Sequence, residues 1–221
     1  MELIGVVVSQ LASPSRRLVL YLSLAQGETA CFQTNNIKVG DSSCHGEETC
    51  RSVLNSTIDN VSCHGAKACY EVTDSTINEG SCQGEGSCEE VQHSVIGKGS
   101  CKDIENNSGN LAMSCYHMKN STIHDGSCQG DQACDMVKNS IIGKGSCNGG
   151  LGYGTNGDWG RYGKNCGLSE NITIGNNSCN GVESGTLADL CYKCKHNVPD
   201  NACNQGITDD MTGGYCNYCF A

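Results

Sequence analysis

The chain has 221 residues with 19 Cys but only two Pro, one Trp and two Phe, too few large aromatics for an ordinary globular core. Cysteine on that scale implies metal sites in a reducing cytosol and a disulfide framework in an oxidising compartment. The net charge of -10 and pI near 4.9 exclude a nucleic-acid binder and disfavour direct attraction to an anionic membrane surface.

Residues 1–25 read as a signal peptide or an N-terminal apolar segment. Arg16 and Arg17 form a positive region, residues 18–24 an apolar run, and Ser23, Leu24 and Ala25 carry the small residues of a cleavage site, with Ala30 offering a second. Neither this run nor the earlier one at residues 3–8 reaches the roughly 20 apolar residues of a membrane helix. Cleavage makes the protein secreted. Retention leaves a segment that would hold it to a membrane complex on the side of an oxidising lumen such as the thylakoid lumen.

Self-similarity organises residues 31–191. Segments 43–61, 62–80, 81–99 and 127–145 align without gaps at a period of 19. Segment 100–126 carries 8 extra residues and segment 146–177 carries 13; a half repeat precedes them at 31–42 and a degenerate one begins at Ser178. A fixed period of this length marks stacked repeats. With the opening Ser as position 1, position 16 is always β-branched: Val39, Ile58, Ile77, Ile96, Ile123, Ile142 and Ile174. Position 14 is Ser56, Ser75, Ser94, Ser121 and Ser140, with Ile37 and Ile172 at the ends. Two residues apart on a strand face the same way, so 14 and 16 point inward and 15, where Lys38 falls, points out. Position 11 (Val53, Val72, Val91, Met118, Val137) is a second inward column. No 3.6-residue period appears. The fold class is therefore all-β: a parallel β-solenoid with coils of about 19 residues stacked roughly 4.8 Å apart. Right-handed coiling is expected from the hand of parallel crossovers. Residues 192–221 form a cysteine-rich C-terminal cap.

Cysteines fall at positions 2 and 8, and both insertions lie between them. A loop closed at its base changes length without disturbing a coil. This favours the pairs Cys44 and Cys50, Cys63 and Cys69, Cys82 and Cys88, Cys101 and Cys115, Cys128 and Cys134, and Cys147 and Cys166. Bridges between adjacent coils are the rival arrangement. Cys179, Cys191, Cys194, Cys203, Cys216 and Cys219 form three more bridges in an order the spacing leaves open. Cys31 is left over: free, paired between molecules, or displacing one of those six.

The motif S-C-x-G-x-x-[AS]-C followed by S-[TVI]-I resembles the tandem cysteine-rich repeat proteins abundant in marine microalgae, across residues 31–191. It resembles more weakly the disulfide-stapled solenoids of some antifreeze proteins. The first resemblance implies little about activity.

The insertion at 149–165 holds the lone Trp159 with Tyr153, Asp158, Arg161 and Tyr162 on a Gly-rich loop, the composition of a site for a protein or glycan partner. Sequons at Asn55, Asn60, Asn106, Asn120, Asn171 and Asn176 are glycosylation candidates. The outward rank Thr57, Thr76, Val95, Thr122, Ile141 and Thr173 raises an ice-binding alternative. Cys191 with Cys194, and Cys216 with Cys219, have near zinc-ribbon spacing, but disulfides fit a secreted chain better, so no metal or cofactor is expected. No carboxylate recurs in a column that would build an acid/base pair, and Asp103, Glu105 and Asp158 near the insertions are the acids closest to such a role. The expectation is a non-enzymatic rigid scaffold that binds its partner through the inserted loop. Its alternatives are an accessory lumenal-side subunit of an algal, photosynthetic membrane complex and an ice-binding protein.

Overall fold

The protein is described by a computed structural model over residues 19–20, 30–31, 33–102, 114–130, 133–149, 165–181, 191 and 194–204. The described residues form an all-β parallel solenoid without helices. Its strands are two residues long: β1 (Val19–Leu20), β2 (Lys38–Val39), β3 (Thr57–Ile58), β4 (Thr76–Ile77), β5 (Val95–Ile96), β6 (Thr122–Ile123), β7 (Ile141–Ile142) and β8 (Thr173–Ile174). They lie in sequence order in one 8-stranded sheet, each parallel to the next. Position 15 faces position 15 throughout, as Thr57 faces Thr76 and Thr76 faces Val95. The insertions leave this register intact: Val95 faces Thr122 and Ile141 faces Thr173.

The inward columns are filled as the alternation requires. Ile58, Ile77, Ile96, Ile142 and Ile174 are completely buried, as are Val53, Val72, Val91, Met118 and Val137. Position 15 faces water, Val95 at 43% and Ile141 at 45% exposure. The interior is also polar in part, because most residues at positions 1 and 14 are serines. Each is a relay between coils rather than only a small filler. The position-1 hydroxyl of Ser62 accepts the amide hydrogen of Ser81 at 3.4 Å and donates to the carbonyl of Asn78 at 2.9 Å. At position 14, Ser56 Oγ accepts from the amide of Ser75 at 3.1 Å and donates to the carbonyl of Leu54 at 2.7 Å. A buried amide without an acceptor costs about 1–3 kcal/mol, and the serine ladders remove that cost coil after coil.

Short strands require sharp corners. Positive φ recurs at positions 2, 8, 10 and 13, for example Cys63 (58°), Cys69 (56°), Glu71 (56°) and Asp74 (49°). Position 13 is Asn36, Asn55, Asp74, His93, Asn120, Asn139 and Asn171, residue types that tolerate the left-handed region best. At position 4, Gly46, Gly65, Gly130 and Gly149 sit where the next coil's backbone leaves no room for a Cβ. Gly65 has φ 127°, and a Cβ there would stand 2.5 Å from the carbonyl oxygen of Gly84 in the next coil.

The solenoid ladder continues past Cys191. Val198 pairs with Ile174 and is buried, and the amide of Ala202 binds Ser178 Oγ at 3.1 Å, so Ala202 takes position 1 of a further coil. The start of the expected C-terminal cap thus carries the same inter-coil bonding as the repeats. At the other end, the backbone of Val19–Leu20 pairs with β2. Removal of residues 1–25 would leave β2 as the edge strand.

Candidate functional site

The stapled side of the coil, positions 2 to 10, holds the within-coil bridges and the bases of the two long insertions. Bridges join Cys44–Cys50, Cys63–Cys69, Cys82–Cys88, Cys101–Cys115, Cys128–Cys134, Cys147–Cys166 and Cys179–Cys191. Each lies within one coil. Cys191 being bonded to Cys179, and Cys194 and Cys203 being disulfide-bonded as well, the spacing of Cys191 and Cys194 is not that of a metal-ligand pair.

The Cα atoms of Cys147 and Cys166 stand 5.8 Å apart across a sequence separation of 19, against 5.6 Å for Cys63 and Cys69 across a separation of 6. The long loop therefore leaves and re-enters the coil through the same gate as the short one. Tyr153, Asp158, Trp159, Arg161 and Tyr162 lie in this loop, outside the described residues, as do Asp103, Glu105 and Asn106 in the loop of Cys101–Cys115.

Sulfurs of neighbouring coils stack. Cys31, Cys44 and Cys50 place their Sγ atoms within 4.8 Å of one another, and so do Cys115 with Cys128 and Cys134, and Cys166 with Cys179 and Cys191. Among the described residues Cys31 is the free cysteine. Burial pushes its thiol up to about 11 from 9.0. Thiolate is the attacking species in disulfide exchange, so the same burial shields the adjacent Cys44–Cys50 bridge at neutral pH.

Beside the bridges, positions 6 to 10 form a polar strip. Glu48 pairs with Arg51, whose guanidinium lies 5.7 Å from the Tyr70 ring centre. His117 Nδ1 meets Glu90 at 2.6 Å. Burial raises the pKa of the Glu89 carboxyl above its ordinary value, opposed by Lys67 and reinforced by Glu90. Burial, and then Glu89, also raise the Tyr116 hydroxyl.

Position 3, where the repeat aligns His45 with His64, is a further ladder. The imidazoles of His45 and His64 stack at 4.8 Å and 6°, and His64 Nε2 contacts the carbonyl of Ser42 at 2.7 Å. In later coils asparagine clamps two backbone groups. Asn148 Oδ1 accepts from the amide of Gln129 at 3.0 Å while its Nδ2 donates to the carbonyl of Gly126 at 2.9 Å. Asn180 and Asn204 repeat this clamp. The recurring Cys-Asn pair at 147–148, 179–180 and 203–204 was the available signal.

A family model described as a domain of unknown function, DUF7640, matches residues 22–112 and again residues 80–184. The two matches together span most of the repeats. The chain belongs to the DUF7640 family. No curated protein and no solved structure matches it. In this DUF7640 chain the stapled coils fit a cysteine-rich repeat protein, and so many bridges fit an oxidising, secreted or lumenal environment.

Proposed function

We propose that this protein is a rigid, secreted or lumenal scaffold that holds a protein or glycan partner through the loop between Cys147 and Cys166. The observation that carries the reading is the 5.8 Å gate at that loop's base. A disulfide and two uninterrupted ladders fix both ends of the loop, so the ordering cost of binding falls only on the loop itself. Rigid scaffolds presenting variable loops are a recurrent design for recognition. Trp159, Tyr153 and Tyr162 supply the aromatic area and Asp158 and Arg161 the polar contacts. The reading gives the chain no catalytic role.

The test is binding by the purified full chain and by its Trp159→Ala/Tyr162→Ala variant, on a glycan array and in crosslinking to extracellular protein fractions. The reading expects ligands retained by the native chain to be lost by the variant at unchanged thermal stability. Equal binding by both would refute it.

The ice-binding reading has one observation behind it, the parallel register of Thr57, Thr76, Val95, Thr122, Ile141 and Thr173. Its expected sign is crystal-growth inhibition that Thr76→Lys abolishes. The membrane-complex reading depends on residues 1–25 remaining attached, which N-terminal sequencing of the mature chain decides.

A further inference from the structure

The described sequons occupy two columns of the coil. Asn55, Asn120 and Asn171 are at position 13, and Asn60 and Asn176 at position 18. All five are exposed. The strand at positions 15 and 16 runs between these columns, which stand at most about 17 Å apart if the five residue steps from one to the other are fully extended. The first complete coil carries a sequon on each side of its strand, Asn55 and Asn60, and the coil that contains β8 does the same with Asn171 and Asn176. At a coil spacing of about 4.8 Å, Asn120 stands about 14 Å along the same side from Asn55 and about 10 Å from Asn171. The sixth sequon, Asn106, lies outside the described residues.

The side-chain bonds of these asparagines are compatible with a sugar on Nδ2. Asn60 uses Oδ1 to accept the amide of Asp41 at 2.8 Å, and Asn176 uses Oδ1 to accept the amide of Lys144 at 2.8 Å. Asn55 accepts from Asn36 Nδ2 through Oδ1 at 3.1 Å. A β-linked sugar leaves Oδ1 and one N–H in place, so these acceptor bonds survive, and Asn120 keeps a hydrogen for Asn139 Oδ1.

We propose that N-linked glycans on these two columns fence the sheet face of the rod and leave the stapled side, with its loops, as the surface open to partners. This rests on the secretory reading above. In each transfer a lipid diphosphate-linked oligosaccharide gives its C1 to Asn Nδ2. The C1–O bond to phosphate breaks, the N–C1 bond forms, Nδ2 loses one proton and the lipid diphosphate leaves. Timing is constrained. The hydroxyls that complete the sequons of Asn60 and Asn176 are Ser62 and Ser178, both completely buried in the finished ladder. Those two sites are therefore modified before their coils close, ahead of the neighbouring bridges at Cys63 and Cys179. A branched N-linked oligosaccharide is as broad as the strip between the columns. The fence thus covers Val95 and Ile141, which the polypeptide leaves exposed, and excludes a flat ligand such as ice.

The test uses the full chain secreted from eukaryotic cells under its own N-terminus. Glycopeptide mass spectrometry reads occupancy. Hydroxyl-radical footprinting before and after enzymatic deglycosylation of the folded protein reads the fence without any folding variant. Expected are occupied Asn55, Asn60, Asn120, Asn171 and Asn176, and a several-fold rise in oxidation of Val95 and Ile141 on deglycosylation, with Tyr70 and Tyr116 unchanged. Bridged, secreted chain with bare asparagines overturns this proposal alone. So does occupancy with no change at Val95 and Ile141. A chain retained with reduced cysteines overturns the secretory reading as well.

Discussion

Ser75 Oγ receives the amide hydrogen of Ser94 from the next coil at 3.1 Å, in a site closed to water. The same hydroxyl donates to the carbonyl of Thr73 at 2.8 Å. Ser75→Ala removes both partners without removing much volume, so it is expected to destabilise by about 1–3 kcal/mol. Thr76→Ala, on the outward side of the same strand, is expected to cost about 0.5 kcal/mol or less. Guanidinium unfolding with the bridges intact measures both. Equal effects would remove the relay role of the serine column.

The bridges close loops of different length on identical coils, which separates loop-closure entropy from geometry. By that entropy, loss of Cys63–Cys69 through paired alanine substitution costs about 2 kcal/mol and loss of Cys147–Cys166 about 3 kcal/mol. Their sequence separations are 6 and 19. Thermal unfolding of the two variants should therefore rank them in that order.

Glycine at position 4 is set by the stacking distance. Gly65→Ala places a Cβ 2.5 Å from Gly84 O at φ 127°, a backbone contact that only a shift of the whole coil relieves. Summing backbone strain and overpacking gives about 2–6 kcal/mol. Gly80 also has positive φ, 67°, but open space around its Cβ direction. Gly80→Ala is expected to cost only about 1 kcal/mol. Comparable losses at the two sites would mean that conformation, not inter-coil clearance, selects glycine in the motif.

Cys31 gives a pH signature. With its thiol pushed from 9.0 up to about 11, the thiolate fraction at pH 8 is about 100-fold below that of an unperturbed cysteine. Alkylation by iodoacetamide should be correspondingly slow and should accelerate up to about pH 11. The sign for stability follows. The unfolded thiol ionises first, so the contribution is complete below pH 9 and is lost as pH rises through 11. Above that range the thiolate lies within 4.8 Å of the Cys44 and Cys50 sulfurs, and scrambling should begin at that bridge. Rapid labelling at pH 7 would contradict the half-buried position against the Cys44–Cys50 bridge.

Much of the fold was legible because its signals are local and repeat. Alternation at Ser56 and Ile58 fixed the inward faces, and the insertions between Cys101 and Cys115 and between Cys147 and Cys166 pointed to within-coil pairing. Counting cysteines isolated Cys31. What escaped notice depends on register between coils. Ser75 read as a small residue, whereas its hydroxyl serves the coil above. Asn148 clamps Gln129 and Gly126, a role that its place beside Cys147 does not announce. Such roles become visible only once position 1 is known to lie over position 1. The coil that begins at Ser178 read as degenerate, and its continuation past Cys191 to Val198 was obscured by its extra length and by Ala202 in place of serine. The loop residues around Trp159 were singled out by composition alone, which carries no information on how they are arranged.

The pairing of the cysteines in the native, full-length protein tests the central claim most directly. Proteolysis after Lys67 cuts inside the Cys63–Cys69 loop, and cleavage at Glu47 or Glu48 cuts inside Cys44–Cys50, so non-reducing mass spectrometry resolves each bridge. The stapled solenoid predicts Cys44–Cys50, Cys63–Cys69, Cys82–Cys88, Cys101–Cys115, Cys128–Cys134, Cys147–Cys166 and Cys179–Cys191, with Cys31 free. Bridges joining adjacent coils, or reduced thiols throughout, would contradict it.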